Sequence, residues 1–357
     1  MTGIERVVTA MQHKEADRVP TCALFCGACH RIYGCGFDEF SQDGEIAGKA
    51  FVESTEVIGH DGNVSLIDLT VEAHDFGQET QFLKNDTARP NYNNPLVTGP
   101  EEYGKVQHIT ACKTKGPSGI SRMGEMVKTV DILMNETGNE KAVVAFVYGP
   151  LGTLSMMRGA EKLFYDCIKH PEAVINAVEV ITDVLVDYIK ELCKLGPHGI
   201  CLDTLFASSC IMSKKLWKKM EAPFAKKLAE VTKECGSTFW IHNCGNGVYF
   251  DAQCEAMDPI GISYAYVPSD CESFEDMKEK YGDKLVLFGH INPAERLFLG
   301  TKSELFEECR KEIQTLGKGG GYIMAPGCEF PPNGSVLRAM EIVEAVEYYG
   351  NYPLMRG

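Results

Sequence analysis

The chain has 357 residues, 44% hydrophobic and 24% charged, the balance of an ordinary globular protein, which excludes a disordered or coiled-coil chain. Its formal net charge of −15 and pI near 5.1, with no Lys/Arg-rich stripe to reverse the sign locally, exclude nucleic acid and anionic membrane as partners. Fifteen cysteines lie scattered, several inside apolar runs (Cys22, Cys167, Cys193, Cys201), and no secretion signal accompanies them, so they read as reduced thiols of a cytoplasmic protein.

In chain order, residues 1–18 carry charges throughout and no continuous apolar stretch, which reads as a short helical extension and not as a leader or a membrane span. Eight short apolar, β-rich runs follow, at 19–25, 62–69, 142–148, 199–204, 237–244, 261–267, 285–291 and 322–328. Several, such as AVVAFVYG and KLVLFGHI, are apolar almost throughout, as in parallel strands buried on both faces. Between the second and third runs, residues 83–134 mix Pro90, Pro95 and Pro100 with Asn and Gly, and we read them as an excursion or lid. Helical periodicity marks 171–195, where Val174, Val178, Ile181, Leu185, Ile189 and Leu192 recur at three- and four-residue spacing and Gly196 ends the pattern. The segments 213–235, 302–316 and 334–349 read the same way, with Ser213 and Ser303 as N-caps. Eight strands with helical crossovers predict a single α/β domain over 1–357, a (β/α)8 TIM barrel.

The chemistry gathers at strand ends. His242 and Cys244 close the run STFWIHNC two residues apart, so both side chains aim to one side. Cys328 ends the eighth run in GGGYIMAPGC and reaches the same barrel mouth from another direction. A histidine and two cysteines brought together in this way are candidate zinc ligands with an open fourth position. Gly245, Gly247 and Gly327 give the tight backbone such a site needs. Asp68 and Asp203, ending the second and fourth strands, are candidates to hold substrate or orient a ligand. Tyr148 and Tyr266 are candidates for an aromatic wall, with Met156 and Met157 nearby. His290 in FGHINP is a candidate for substrate contact or proton transfer. Cys26 and Cys29 make a CxxC pair, but it lacks the partner pair of a zinc ribbon and the strand context of a thioredoxin-like unit.

The segments ERVVTAMQHKEADRVP, DLTVEAHDFG, YGPLGT, WIHNCGN, LFGHINP and GGGYIMAPGCEFPPN span nearly the whole chain. On them it resembles the uroporphyrinogen decarboxylase superfamily, and within it the zinc-dependent methyltransferases of corrinoid systems. The resemblance implies a uroporphyrinogen decarboxylase-like TIM barrel, Zn²⁺ on His242, Cys244 and Cys328, and methyl transfer between a small substrate and the cobalt of a corrinoid. No segment resembles a cobalamin-binding domain, so the resemblance implies a separate corrinoid protein as partner. Two departures bear on substrate. Where the decarboxylases carry an arginine-bearing segment after the first strand, this chain reads CGACHRIYG with Arg31 alone, which disfavours a tetrapyrrole carboxylate. Where the coenzyme M enzymes end in a motif like PGCGIAP, this chain has PGCEFPP, which sets Glu329 beside the metal as a group to orient substrate or accept a proton.

Two thiolates and a neutral imidazole cancel the charge of Zn²⁺, which suits activation of a thiol substrate. Polarisation of a methyl ether oxygen is the alternative. The rival functions are a metal-free decarboxylase and a zinc-stabilised binding protein whose fourth position stays filled.

Overall fold

Strands that are apolar on both sides must be covered on both sides, and the computed structural model, which describes residues 1–354, shows how. Seven strands form one parallel sheet in the order β1 (Gly62–Val64), β4 (Ala142–Tyr148), β5 (Gly199–Asp203), β6 (Thr238–Asn243), β7 (Gly261–Tyr264), β8 (Val286–Phe288), β9 (Tyr322–Ile323). Helices fill the crossovers, as parallel neighbours require. The remaining strands, β2 (Thr80–Leu83) and β3 (Asp86–Pro90), pair as an antiparallel hairpin that leads into the excursion after β1. The fold is thus α/β and TIM-barrel-like.

Alternate residues of each strand sort into two separate apolar clusters. Ala142, Phe146, Tyr148, Cys201, Trp240, Phe288 and Ile323 belong to one. Val143, Ala145, Val147, Ile200, Leu202, Phe239, Ile241, Ile262 and Leu287 belong to the other, which the helices cover. This is the period-two alternation of a strand with both faces dry. The Pro171–Cys193 helix buries Val174, Val178, Ile181, Leu185, Ile189 and Leu192 on that outer face, each worth about 1.5–3 kcal/mol of apolar transfer. Its neighbours are the Ala222–Glu234 and Pro150–Arg158 helices. On the inner side Trp240 needs room: a Cβ on Gly261 would come 2.4 Å from its ring.

The first predicted strand, 19–25, is not formed. Only a parallel bridge between Thr21 and Met324 survives there. The cause is local. Pro20 has no N–H to give, the Thr21 N–H goes to the Asp61 carboxylate (2.8 Å), and the Ala23 N–H goes to His60 Nδ1 (3.2 Å). Leu24 and Cys26 then adopt φ of 42° and 45°, which ends any extended run. The segment still bonds on both sides, with Asp61 N–H donating to Thr21 O and Cys22 N–H donating to Met324 O. Asp61 is fully buried and also accepts from Arg18 (2.6 Å) and Arg6 (3.0 Å).

Strands predicted at 62–69 and 322–328 are shorter than expected, since the backbone leaves the ladder within three residues at the first and two at the last. Thr301, two residues earlier than expected, caps the Lys302–Glu312 helix in place of Ser303, and its hydroxyl and Glu304 form a reciprocal capping box. Ser213 caps the Lys214–Met220 helix as predicted.

Candidate metal centre

Register between parallel strands carries the site. Tyr148 is opposite Asp203, Asp203 opposite His242, His242 opposite Ser263, and Ser263 opposite Phe288. Opposed residues in a parallel sheet share a face, so these five form one lateral row at the C-terminal strand ends. Asp203, His242, Ser263 and Phe288 line a cavity of about 90 Å³ together with Leu24, Cys26, Val64, Leu66, Phe146, Cys201, Cys244, Cys328 and Glu329. Its walls are mostly apolar and its polar groups converge on one end.

The donor atoms of His242, Cys244 and Cys328 all lie within 4.8 Å of one another. His242 Nδ1 is 2.9 Å from Ser263 Oγ, which orients the ring and leaves Nε2 as the ligand atom. The turn after β6 is built by Asn243, whose amide donates to Thr204 O (2.7 Å) and whose Oδ1 accepts from Gly245 N–H (2.9 Å). This turn presents Cys244. Cys328 arrives on a loop that packs against the chain after β7 so closely that a Cβ on Gly327 would lie 2.7 Å from Ala265 Cα. The neighbouring Cys244 thiol and His242 hold Cys328 well below the ordinary thiol range, against the effect of its burial. Cys244, next to Cys328 and itself buried, is raised correspondingly. An imidazole and two thiols brought this close make a site suited to a cation. The set fits zinc: one nitrogen and two sulfurs, a ring nitrogen tied back, and no fourth protein donor grouped with the three among the described residues.

Two carboxyls border the ligands. Asp203 is buried, its Oδ1 has no hydrogen-bond partner, and burial lifts it to about 6 although His242 opposes the rise. Glu329 Oε1 accepts from Gly27 N–H at 3.2 Å. Burial, with Cys328 adjacent, lifts it to about 8. A carboxyl in that condition can hold a proton at neutral pH and exchange it with a bound molecule.

The remaining predicted residues lie elsewhere. Asp68 is buried in an ion pair with Arg122 (2.5 Å) and accepts from Thr70 N–H and Oγ1, so its oxygens are engaged and it does not line the cavity. Tyr148 is buried in the inner cluster next to the cavity wall. Tyr266 is 45% exposed in the loop after β7. His290 would share the inner face with Phe288 by alternation, but Gly289, at φ 139°, breaks the pattern. The ring instead stacks on Phe274, with centroids 3.5 Å apart, and burial lowers it to about 4. Cys26 and Cys29 are buried free thiols, raised by burial. Arg31 donates to Gly334 O and does not line the cavity.

The sequence reading passed over Ser263, Gly27 and the cavity-lining Cys201. A polar residue on the inner-face parity of the run GISYAYV was the available signal for Ser263. A Ser263→Ala chain is expected to bind zinc about 10–100-fold more weakly, the usual cost of removing a partner that orients a ligand. Competition with a chromophoric chelator measures this, and an unchanged affinity would show that the hydroxyl does not set the ring.

A profile of the family described as Uroporphyrinogen decarboxylase (URO-D) matches residues 2–349. The chain is 23% identical to a methylcobamide:CoM methyltransferase, MtbA, of Methanosarcina mazei, over 97% of this chain and 99% of that one. It is 21% identical to a uroporphyrinogen decarboxylase of Aliarcobacter butzleri, over 84% of this chain and 83% of that one. Among solved structures, a methyltransferase from Methanosarcina mazei superposes with a TM-score of 0.77 at 19% identity, covering 98% of this chain and 99% of that one.

Proposed function

Since the chain belongs to the uroporphyrinogen decarboxylase family, we propose that it is a zinc-dependent methyltransferase of that family's corrinoid branch. It moves a methyl group between a small substrate and the cobalt of a corrinoid held by a separate protein, in the cytoplasm. The observation that carries this reading is the grouping of one histidine and two cysteines within 4.8 Å at the polar end of an apolar cavity. Full-length similarity to a methylcobamide:CoM methyltransferase supports it, and the engagement of Arg31 with a backbone carbonyl weighs against tetrapyrrole decarboxylation. On this reading the chain is one domain closed into a (β/α)8 barrel, with 19–25 as an irregular eighth stave, a helical extension over about 1–18 and an excursion over about 83–134.

His242, Cys244 and Cys328 would hold the zinc, which supplies the positive charge that lets a substrate thiol lose its proton while staying nucleophilic. The protein's own groups do the rest. Ser263 fixes the His242 ring. Leu24, Val64, Leu66, Phe146 and Phe288 exclude water from the methyl carbon, which strengthens every charge interaction inside. Glu329, fixed by the Gly27 N–H, takes or returns the substrate proton, and Asp203 faces His242 across the register as a second acceptor. A methoxylated compound is the second reading, favoured by Glu329 itself, whose protonated carboxyl can donate to a departing ether oxygen.

The deciding experiment mixes the zinc-loaded protein with a corrinoid protein in the methyl-Co(III) or Co(I) state and follows cobalt absorbance. Demethylation of methyl-Co(III) by thiols supports the first reading, and methylation of Co(I) by methoxylated aromatics supports the second. No spectral change with either class would overturn methyl transfer and leave a binding protein.

A further inference from the structure

On the outer side of the sheet, away from the cavity that holds Cys244 and Cys328, His290 meets two glutamates of the Lys302–Glu312 helix, and none of the three lines that cavity. Glu308 and Glu312 are four residues apart, so one helix face presents both carboxylates. One donor atom from each of His290, Glu308 and Glu312 lies within 4.8 Å of the other two. Phe274, stacked on the imidazole at an interplanar angle of 8°, fixes the ring plane.

Glu312 is 3% exposed. Its Oε2 accepts from His290 N–H (2.9 Å) and Tyr322 O–H (2.7 Å), yet its Oε1 is buried with no hydrogen-bond partner. Leaving such an oxygen unmatched costs about 1–3 kcal/mol. Oε1 stands 3.4 Å from His290 Nδ1. That spacing is long for a hydrogen bond but is the edge, about 3.4 Å, of a tetrahedron with ligands ~2.1 Å from a central ion. Glu308 gives one oxygen to Arg296 Nε (3.0 Å) and has the other free to turn inward. Lys311 borders the same hollow, but its side chain is 67% exposed and its ammonium faces Glu307. The hollow, about 260 Å³ and open to solvent on one side, leaves room for water ligands.

We infer that His290, Glu308 and Glu312 form a second cation site, for a divalent ion of the Zn²⁺ or Mn²⁺ class, which clips the chain after β8 to the Lys302–Glu312 helix. One imidazole and two carboxylates suit borderline to hard divalent ions, whereas the cysteine centre selects softer ones. The ion's role here is structural, and it is independent of the methyl-transfer reading.

Equilibrium dialysis against Zn²⁺, with bound metal counted by atomic spectroscopy, tests this on the wild type, Glu308→Gln and Cys328→Ser. Glu308→Gln is nearly isosteric at a partly exposed side chain, can still accept from Arg296, and leaves the buried Glu312 network intact, so the chain is expected to fold. It should bind one ion fewer than the wild type, and it should bind Mn²⁺, followed by its paramagnetic resonance signal, at least ~10-fold more weakly. Cys328→Ser should keep this ion. Equal metal content in the wild type and Glu308→Gln overturns the site. An ion lost in Cys328→Ser alone would uphold the cysteine centre and sink this one, and an ion lost in Glu308→Gln alone would do the reverse.

Discussion

A Cys328→Ser chain is expected to lose its cysteine-centre zinc on dialysis and its methyl transfer together. The substitution replaces the thiol that its neighbours Cys244 and His242 hold below the ordinary range, against the effect of burial. A hydroxyl in that place stays protonated and supplies no charge, so the remaining ligands no longer cancel the charge of the metal. Removing a partner behind a ligand costs about 10–100-fold in affinity. Removing a ligand itself should therefore exceed ~10²-fold, and activity should fall at least as far. Because Cys328 sits on a loop after β9 and only partly buried, the thermal midpoint of the metal-free chain should hardly move, which separates loss of the site from loss of the fold. A zinc-free Cys328→Ser protein with full turnover would refute the mechanism.

The second large effect is on stability. Arg122 is 1% exposed and Asp68 is fully buried. The guanidinium donates to both Asp68 oxygens, to Thr70 Oγ1 and twice to Ser41 O, and it lies over the Phe82 ring. It thereby joins the chain after β1, the β2–β3 hairpin and the Phe37–Gln42 helix to the Arg122–Thr137 helix that it begins. Arg122→Met keeps much of the volume but strands the Asp68 charge, which should cost about 3–5 kcal/mol. Chemical denaturation reads this as a lower midpoint at unchanged slope.

The pH dependence follows with its sign. Burial pushes Asp68 up, but Arg122 and the Thr70 bonds outweigh it and hold the carboxyl below its ordinary value. A depressed folded-state value gives stability that is present above about pH 4 and is lost as pH falls through the folded value. The gap between wild type and Arg122→Met should therefore be widest at neutral pH and narrow in acid. A gap that stays constant down to pH 3 would mean the pair is not ionised in the folded protein.

Much of this was legible in the sequence because strand ends are where apolar runs stop, and Asp203 stops one such run while His242 and Cys244 stop another. Seven of the eight predicted strands are found, since continuous apolar stretches report burial on both faces. The failure at 19–25 has a physical source: side chains of His60 and Asp61, some forty residues on, take the N–H groups that a ladder would use. No local pattern reports a competitor that arrives from elsewhere in the chain. His290 went astray for a related reason. Alternation predicts its direction only while φ stays extended, and Gly289 is where it does not. Asp68 was recognised as a strand-end carboxylate, but its partner Arg122 lies 54 residues away, beyond the reach of any spacing argument.

The lateral row Tyr148, Asp203, His242, Ser263 and Phe288 implies a rule about which changes this molecule can absorb through descent. Each member belongs to one parity class of its strand, and parity is indifferent to what happens between strands. Lengthening or shortening a crossover leaves every member facing its neighbours. Inserting one residue inside β6, by contrast, would turn His242 towards the helices and swing Asn243 inward. Chains of this architecture can thus rewrite most of their residues, as the 23% identity to the Methanosarcina mazei relative over nearly full length illustrates, provided the count within each strand is kept. What is inherited is an arithmetic of odd and even positions more than a text.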